Sequence, residues 1–133
     1  MNKKTIKKTI KQIEGFNSLV INFILFVVAY ILFSMIAPLC FVFMLVFGKG
    51  RAKYLRNCAY SIDQSGNVFC QNFLNRFMAN EYGYKFGNPD ETISSVLGRN
   101  QLRNTLTLGG KILAWVLHLI DKNHCIKSIE KNI

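Results

Sequence analysis

The sequence predicts an all-α protein in which an N-terminal transmembrane helix is followed by a small amphipathic helical domain. Three observations lead there. From Phe16 to Phe47 no charged residue occurs. Beyond that run, apolar residues recur at the i, i+3, i+4, i+7 spacing of a helix with one buried side. No segment alternates apolar and polar residues for long enough to make a strand. The 133-residue chain is 50% hydrophobic and carries 17 basic against 7 acidic residues, a net charge of +10. It is therefore more apolar than a soluble domain and strongly drawn to anionic surfaces. Three segments follow: a basic stretch 1–15, a membrane anchor 16–48 and a helical membrane-proximal domain 49–133.

In the basic stretch, Ile6, Ile10 and Ile13 fall at helical spacing while Lys3, Lys4, Lys7, Lys8 and Lys11 take the other side. This suits either a short interfacial helix or a frayed tail that only fixes topology. Leu19–Ala37 alone reaches across a hydrocarbon core of about 30 Å at roughly 1.5 Å per residue. Pro38 removes one helical hydrogen bond, so the anchor is expected either as a single span kinked there or as a shallow hairpin turning at 34–38. The single span is preferred, because a hairpin turn would leave backbone groups unpaired in lipid. Asn17, Asn22 and Ser34 are its notable polar groups, able to bond a neighbouring helix or a local carbonyl.

Lys49, Arg51, Lys53 and Arg56 close the apolar run as the N-terminal lysines open it. Basic clusters flanking an apolar segment point to anionic lipid headgroups as the partner rather than nucleic acid, for which no motif is present. Cys40, Cys58, Cys70 and Cys125 form no CxxC pair and read as free thiols facing a reducing compartment. Together these features predict a membrane-anchored protein whose C-terminal domain faces a reducing, cytoplasmic compartment.

After Gly48-Lys49-Gly50, the stretch 52–80 predicts a helix with Leu55, Cys58, Ala59, Ile62, Gly66, Phe69, Phe73 and Phe77 on its buried side. Gln64, Asn67, Gln71 and Asn75 occupy the opposite side, with Asp63 at the border, a pattern that suits either lying on a membrane or packing in a small bundle. Residues 82–87 form a glycine- and aromatic-rich loop. Asn88 then suits an N-cap, Pro89 the first helical position and Glu91 the third, so a short helix is expected from Pro89 to Leu97, stopped by Gly98. Asp90 and Glu91 face the positive end of its dipole. Residues 99–108 are a polar connection broken by Gly109-Gly110. The stretch 111–122 is a second strong helix, too short to span, that either packs on the Leu55–Phe77 stripe or dips into the interface beside Trp115.

Chemistry-bearing residues are sparse. His118, Asp121 and Cys125 stand at i, i+3 and i+7, so a continued helix places a base, an acid and a nucleophile on one side. Residues stacked along one helix nevertheless rarely converge on one reacting atom. His124 extends this set of candidate catalytic residues. Metal-ligand pairs and phosphate-cradling loops are missing, so no metal site and no cofactor is expected.

Three segments carry a resemblance: Ile62-Asp63-Gln64-Ser65-Gly66-Asn67; Gly87-Asn88-Pro89-Asp90-Glu91-Thr92-Ile93-Ser94-Ser95 with Gly98-Arg99; and Asp121-Lys122-Asn123-His124-Cys125. In order and spacing they resemble a family of small, functionally uncharacterised proteins encoded mainly by tailed phages and prophages. The similarity covers about residues 54–131. Asn88 stands where the family commonly has Asp, a change that preserves capping. The resemblance implies a phage origin and a single domain, in which Asp63, Gln64, Asn67, Asp90, Glu91, Thr92, Ser95, His124 and Cys125 belong to one patch; Ser94 and the members of that patch other than Cys125 are the candidate binding residues. The expected role is an inner-membrane accessory protein that binds a protein partner, with self-association compatible. The alternatives are a membrane-tethered thiol- or metal-dependent hydrolase using Cys125, and a holin-like lysis or superinfection-exclusion factor.

Overall fold

The computed structural model describes residues 3–130; the outermost residues of the 1–15 and 49–133 segments lie outside them. The chain divides into two compact units, Met1–Arg51 and Ala52–Ile133. The first is one helix, α1 (Lys3–Phe47), with Pro38 inside it. Its 45 residues extend about 68 Å at 1.5 Å per residue. Thr5–Phe47 is long and apolar enough to cross a membrane, and none of its most apolar 18-residue window is buried.

The shallow hairpin is thus replaced by a continuous helix. One proline removes one backbone bond, whereas Ser-Met-Ile-Ala before it offers no turn-forming glycine or amide. Ser34 and Asn22, two of the polar residues within α1, are satisfied locally. Ser34 Oγ donates to the Ile31 carbonyl at 3.0 Å, and Asn22 Nδ2 donates to Ser18 Oγ at 3.4 Å. Arg51 Nη2 reaches back to the Val46 carbonyl at 3.2 Å, placing a cation on the negative end of the helix.

The second unit holds α2 (Arg51–Phe69, whose first residue closes the preceding unit), α3 (Gln71–Phe77), α4 (Ile93–Leu102), α5 (Leu108–Ile120) and α6 (His124–Lys127). Its core is Leu74, Ala79, Phe86, Val96, Leu97, Leu106, Ala114 and Cys125, with Met78, Tyr84, Ile93, Leu113 and Leu117 packed around it. Helix α4 is the hub, packing on both α5 and α6. An isolated antiparallel bridge joins Ala79 to Leu106. It sets the N-terminus of α5 on the end of α3, where Thr107 N donates to the Met78 carbonyl at 3.1 Å.

Several expected features are relocated. The 52–80 helix is two helices, interrupted at Cys70. Its apolar stripe faces outward: Ile62 and Phe69 are each 69% exposed, and Leu55, Phe73 and Phe77 are also exposed. On the opposite, amide-bearing side Asn67 is fully buried and Gln64 and Asn75 are half-buried, while Gln71 stays exposed. The loop at 86–94 is the cause, because its backbone groups need partners that the amide and carboxylate side chains supply and the apolar stripe cannot.

The helix expected over 89–97 begins later and runs further. Residues Asn88 to Glu91 form a turn, with Asn88 Oδ1 accepting from Asp90 N at 3.1 Å and Glu91 N donating to the Asn88 carbonyl at 3.2 Å. Thr92 is the N-cap of α4, its hydroxyl accepting from Ser95 N at 3.0 Å. Gly98 does not stop the helix. It lies inside α4 because the Cys125 carbonyl of α6 packs against it, where any Cβ would collide. Gly109 and Gly110 likewise fall inside α5, which Thr107 caps, accepting from Gly110 N at 3.3 Å.

Candidate functional site

The residues that pointed to a site come together only in part, and they do so around the first turn of α4. Asp63, on α2, receives this turn: its Oδ1 accepts from Ile93 N at 3.1 Å, and its Oδ2 accepts from Ser94 Oγ at 2.7 Å and Ser94 N at 3.4 Å. A carboxylate on exposed helix N–H groups is stabilised both by hydrogen bonding and by the positive end of the dipole. One turn further along α2, Asn67 spends its whole amide on the preceding loop. Its Nδ2 donates to the Asn88 and Glu91 carbonyls at 2.9 and 2.8 Å, and its Oδ1 accepts from Gly87 N at 3.1 Å. Gly87 has φ +121°, a conformation that favours glycine, with Gln71 packed against its Cα.

Glu91 is the centre of the cluster and is fully buried. Its Oε1 accepts from Ser95 Oγ at 2.7 Å and from Arg99 Nε at 2.6 Å, while Oε2 is buried without a hydrogen-bond partner. Arg99 also donates through Nη2 to the Glu130 carbonyl at 2.5 Å. Ser95 Oγ accepts from Glu130 N at 3.2 Å, and Glu130 Oε1 accepts from Thr92 N at 3.4 Å. Two guanidinium groups approach the ring of Tyr84, Arg99 at 5.0 Å and Arg103 at 5.2 Å from its centroid. Burial, and then its approach to the Glu91 carboxylate, push the Tyr84 hydroxyl above its ordinary pKa. Tyr60 on α2 is raised too, chiefly by hydrogen bonding to the Glu130 carboxylate.

Asn100 performs the same service for the 83–86 loop that Asn67 performs for 87–91. It donates to the Tyr84 and Val96 carbonyls at 2.8 and 3.0 Å and accepts from Tyr84 N at 2.8 Å and Thr105 Oγ1 at 2.6 Å. Asn75 clamps Phe86 on both backbone groups, at 2.9 and 3.0 Å. The polar cluster is therefore a framework that fixes an irregular loop, 83–92, against three helices.

Segments 62–67 and 87–95 converge, whereas His124 bonds to Asp121 and Ser128 instead, and Cys125 meets α4 at Gly98. Helix α5 ends at Ile120, Asp121 is extended and Asn123 is left-handed at φ 62°, so the continued helix that would align His118, Asp121 and Cys125 does not exist. Asp121 instead pairs with Lys127 at 2.7 Å and His124 at 3.3 Å, and these two contacts, Lys127 first, hold its carboxyl below the usual range. His118 Nδ1 accepts from Asn123 N at 3.1 Å. Cys125 is turned into the core against Gly98. Gln64 is half-buried and Asp90 exposed. Among the described residues no group of three or more His, Cys, Asp or Glu side chains is arranged to hold a metal ion.

Five members of the framework were not anticipated as site residues: Asn75, Tyr84, Arg99, Asn100 and Glu130. Glu91, Ser95 and Arg99 are spaced i, i+4, i+8, a signal for one helix-side ladder that sequence could have supplied. Nothing local to Glu130 marks it.

Burial, and secondarily the charge of Asp63, push the Cys125 thiol up to about 11 from an ordinary value of 9.0. A raised folded-state pKa stabilises the protein below the unfolded value and is lost as pH climbs through the folded one, so this group's contribution should fade between pH 9 and 11. The same burial predicts that exposed Cys70, outside the apolar helix, alkylates at neutral pH while Cys125 reacts only on unfolding. Mass-spectrometric mapping of alkylation in detergent, with and without denaturant, measures it; prompt native labelling of Cys125 would contradict its burial.

No protein-family model matches the chain, and no curated protein or solved structure matches it.

Proposed function

We propose that this chain is a phage- or prophage-encoded accessory protein of the bacterial inner membrane that works by binding a protein partner, not by turnover. In this reading α1 is the anchor, anionic headgroups neutralise the basic clusters at its two ends, and the second unit is cytoplasmic. One observation carries the argument against turnover. The nucleophile, bases and acids that could have met are dispersed, with Cys125 in the core, His118 bonded to backbone and Asp121 in an exposed ion pair. The buried carboxylate that remains, Glu91, is engaged by Arg99 and Ser95 as part of the fold.

What is left for recognition is the outer edge of the framework: the rigid 88–90 turn with exposed Asp90, and Gln64 on α2. A turn held by Asn67 and Asp63 on its inner side presents its outer side with little conformational freedom to lose on binding.

The test is a photo-crosslinking residue placed at position 90 or 64 of the full chain in host membranes. A discrete adduct with one membrane or cytoplasmic protein is expected, resistant to a crosslinker at Lys127 used as control. Release of the protein by alkaline carbonate would overturn the anchor, and detergent-solubilised protein showing a turnover abolished by Cys125→Ala would overturn the non-catalytic reading.

A further inference from the structure

Helix α5 is built inside out for a water-soluble domain. The residues it turns to the core are small, Gly110 and Ala114, with Leu113 and Leu117 half-buried. Gly110 lets the helix backbone come against the Met78 carbonyl, a distance no side chain would permit. Its large residues point away: Leu108 is 75% exposed, Trp115 60%, Leu119 63% and Ile120 80%, with Ile112 and Val116 exposed between them. At 3.6 residues per turn these six fall on one continuous arc. In water that arc would be an apolar patch far larger than an isolated surface leucine, and it requires a cover.

The border of the arc shows what the cover is. Trp115 forms its edge, and the next stripe round the helix, one turn either side, carries Lys111 and His118. These three, with Gln101, Leu106 and Ala114, line a shallow cleft of about 300 Å³. The His118 ring accepts the Asn123 N–H through Nδ1, so in its neutral form the Nε2 proton is the one available to an acceptor. An apolar arc, a tryptophan at its margin and a cation and hydrogen-bond donors beyond it reproduce the layering of a bilayer surface, from acyl chain to phosphate. At 13 residues α5 is too short to cross and suited to lie in the plane. Covalent connection supplies proximity: only residues 48–50 separate the end of α1 from the start of α2. A second copy of the chain is the less favoured cover, since it would bring a further +10 charge, whereas an anionic leaflet neutralises what is already there.

We infer that α5 is an in-plane membrane helix, with Leu108, Ile112, Val116, Leu119 and Ile120 in the acyl region, Trp115 at the glycerol level, and Lys111 and His118 against headgroup phosphates. The inference rests on the anchored reading of α1 and gives the protein a second membrane contact, which fixes the orientation of the 88–90 turn relative to the bilayer.

Trp115 is the chain's single tryptophan and reports directly. The full chain is reconstituted into vesicles of equimolar phosphatidylcholine and phosphatidylglycerol, and only carbonate-resistant protein is measured, so that failed anchoring and failed docking are separate results. Blue-shifted emission, quenched by lipids brominated near the headgroup end of the acyl chain and protected from aqueous iodide, is expected. Leu119→Glu should shift the emission red and restore iodide quenching; the wild-type measurement stands alone if that variant does not fold. Iodide quenching without bromolipid quenching in carbonate-resistant protein would overturn the proposal. So would blue-shifted emission that ignores bromolipid and grows with protein density, which would assign the face to a second copy.

Discussion

Replacing Asn67 by alanine is expected to destabilise the second unit by about 3 kcal/mol, the largest effect of any single neutral side chain in it. The residue is fully buried, and its amide makes three hydrogen bonds to Gly87, Asn88 and Glu91, all twenty or more residues away in sequence. Alanine leaves one N–H and two carbonyls without those partners inside the protein, and each unpaired buried group costs about 1–3 kcal/mol, non-additively. Asn67→Asp should be no milder: it keeps the acceptor for Gly87 N but turns an anion toward two carbonyl oxygens. Gln64→Ala, three residues earlier on the same helix and only half-buried, should change stability by less than about 0.5 kcal/mol. Denaturant titration of the full chain in micelles, followed by Trp115 emission, distinguishes them. Equal midpoints for Asn67→Ala and Gln64→Ala would show that the 87–91 loop holds itself.

The same residue shows where the sequence was transparent and where it was not. The long apolar helix α1 was legible because the 32 residues from Phe16 to Phe47 carry no charge, a run long and apolar enough to cross a hydrocarbon core. Helix α5 was legible in type from its periodicity, though it begins at Leu108 rather than after the glycine pair. The orientation of α2 and α3 was not. Amphipathic reasoning assigns the apolar side to the core, and here Leu55, Ile62, Phe73 and Phe77 are outside while Asp63, Asn67 and Asn75 serve the loop between α3 and α4. That inversion is a tertiary fact: it follows from how many backbone groups an irregular loop must satisfy. Gly98 failed for a related reason. Local rules see a helix stop, whereas the requirement is the close approach of a carbonyl 27 residues later. In the candidate site, Thr92, Ser94 and Ser95 were marked without roles, and each role depends on a partner far along the chain, Asp63 or Glu130, or on a cap displaced by one turn.

The charged pair at the centre of the site should respond asymmetrically to loss of its two members. Arg99→Met is expected to cost about 3–5 kcal/mol, because it strands the Glu91 carboxylate where its side chain has no exposure at all. Glu91→Gln should cost less, about 1–2 kcal/mol: the amide oxygen can still accept from Ser95, and the Arg99 side chain, 20% exposed, keeps some access to water. The double variant should be more stable than Arg99→Met alone, since removing the anion relieves what removing the cation left behind, and the coupling measured by that cycle is the pair's contribution in place. Lysine at position 99 should not rescue. Arginine divides its fork, Nε to Glu91 and Nη2 to the Glu130 carbonyl, while its plane lies over Tyr84, and one ammonium cannot occupy all three places. Arg99→Lys should therefore release the 128–130 segment, seen as faster amide exchange at Ile129 and Glu130. If Arg99→Met cost under about 1 kcal/mol and the double variant were additive, the pair would behave as a solvated surface bridge. The 83–92 loop would then owe its shape to Asn67, Asn75 and Asn100 alone.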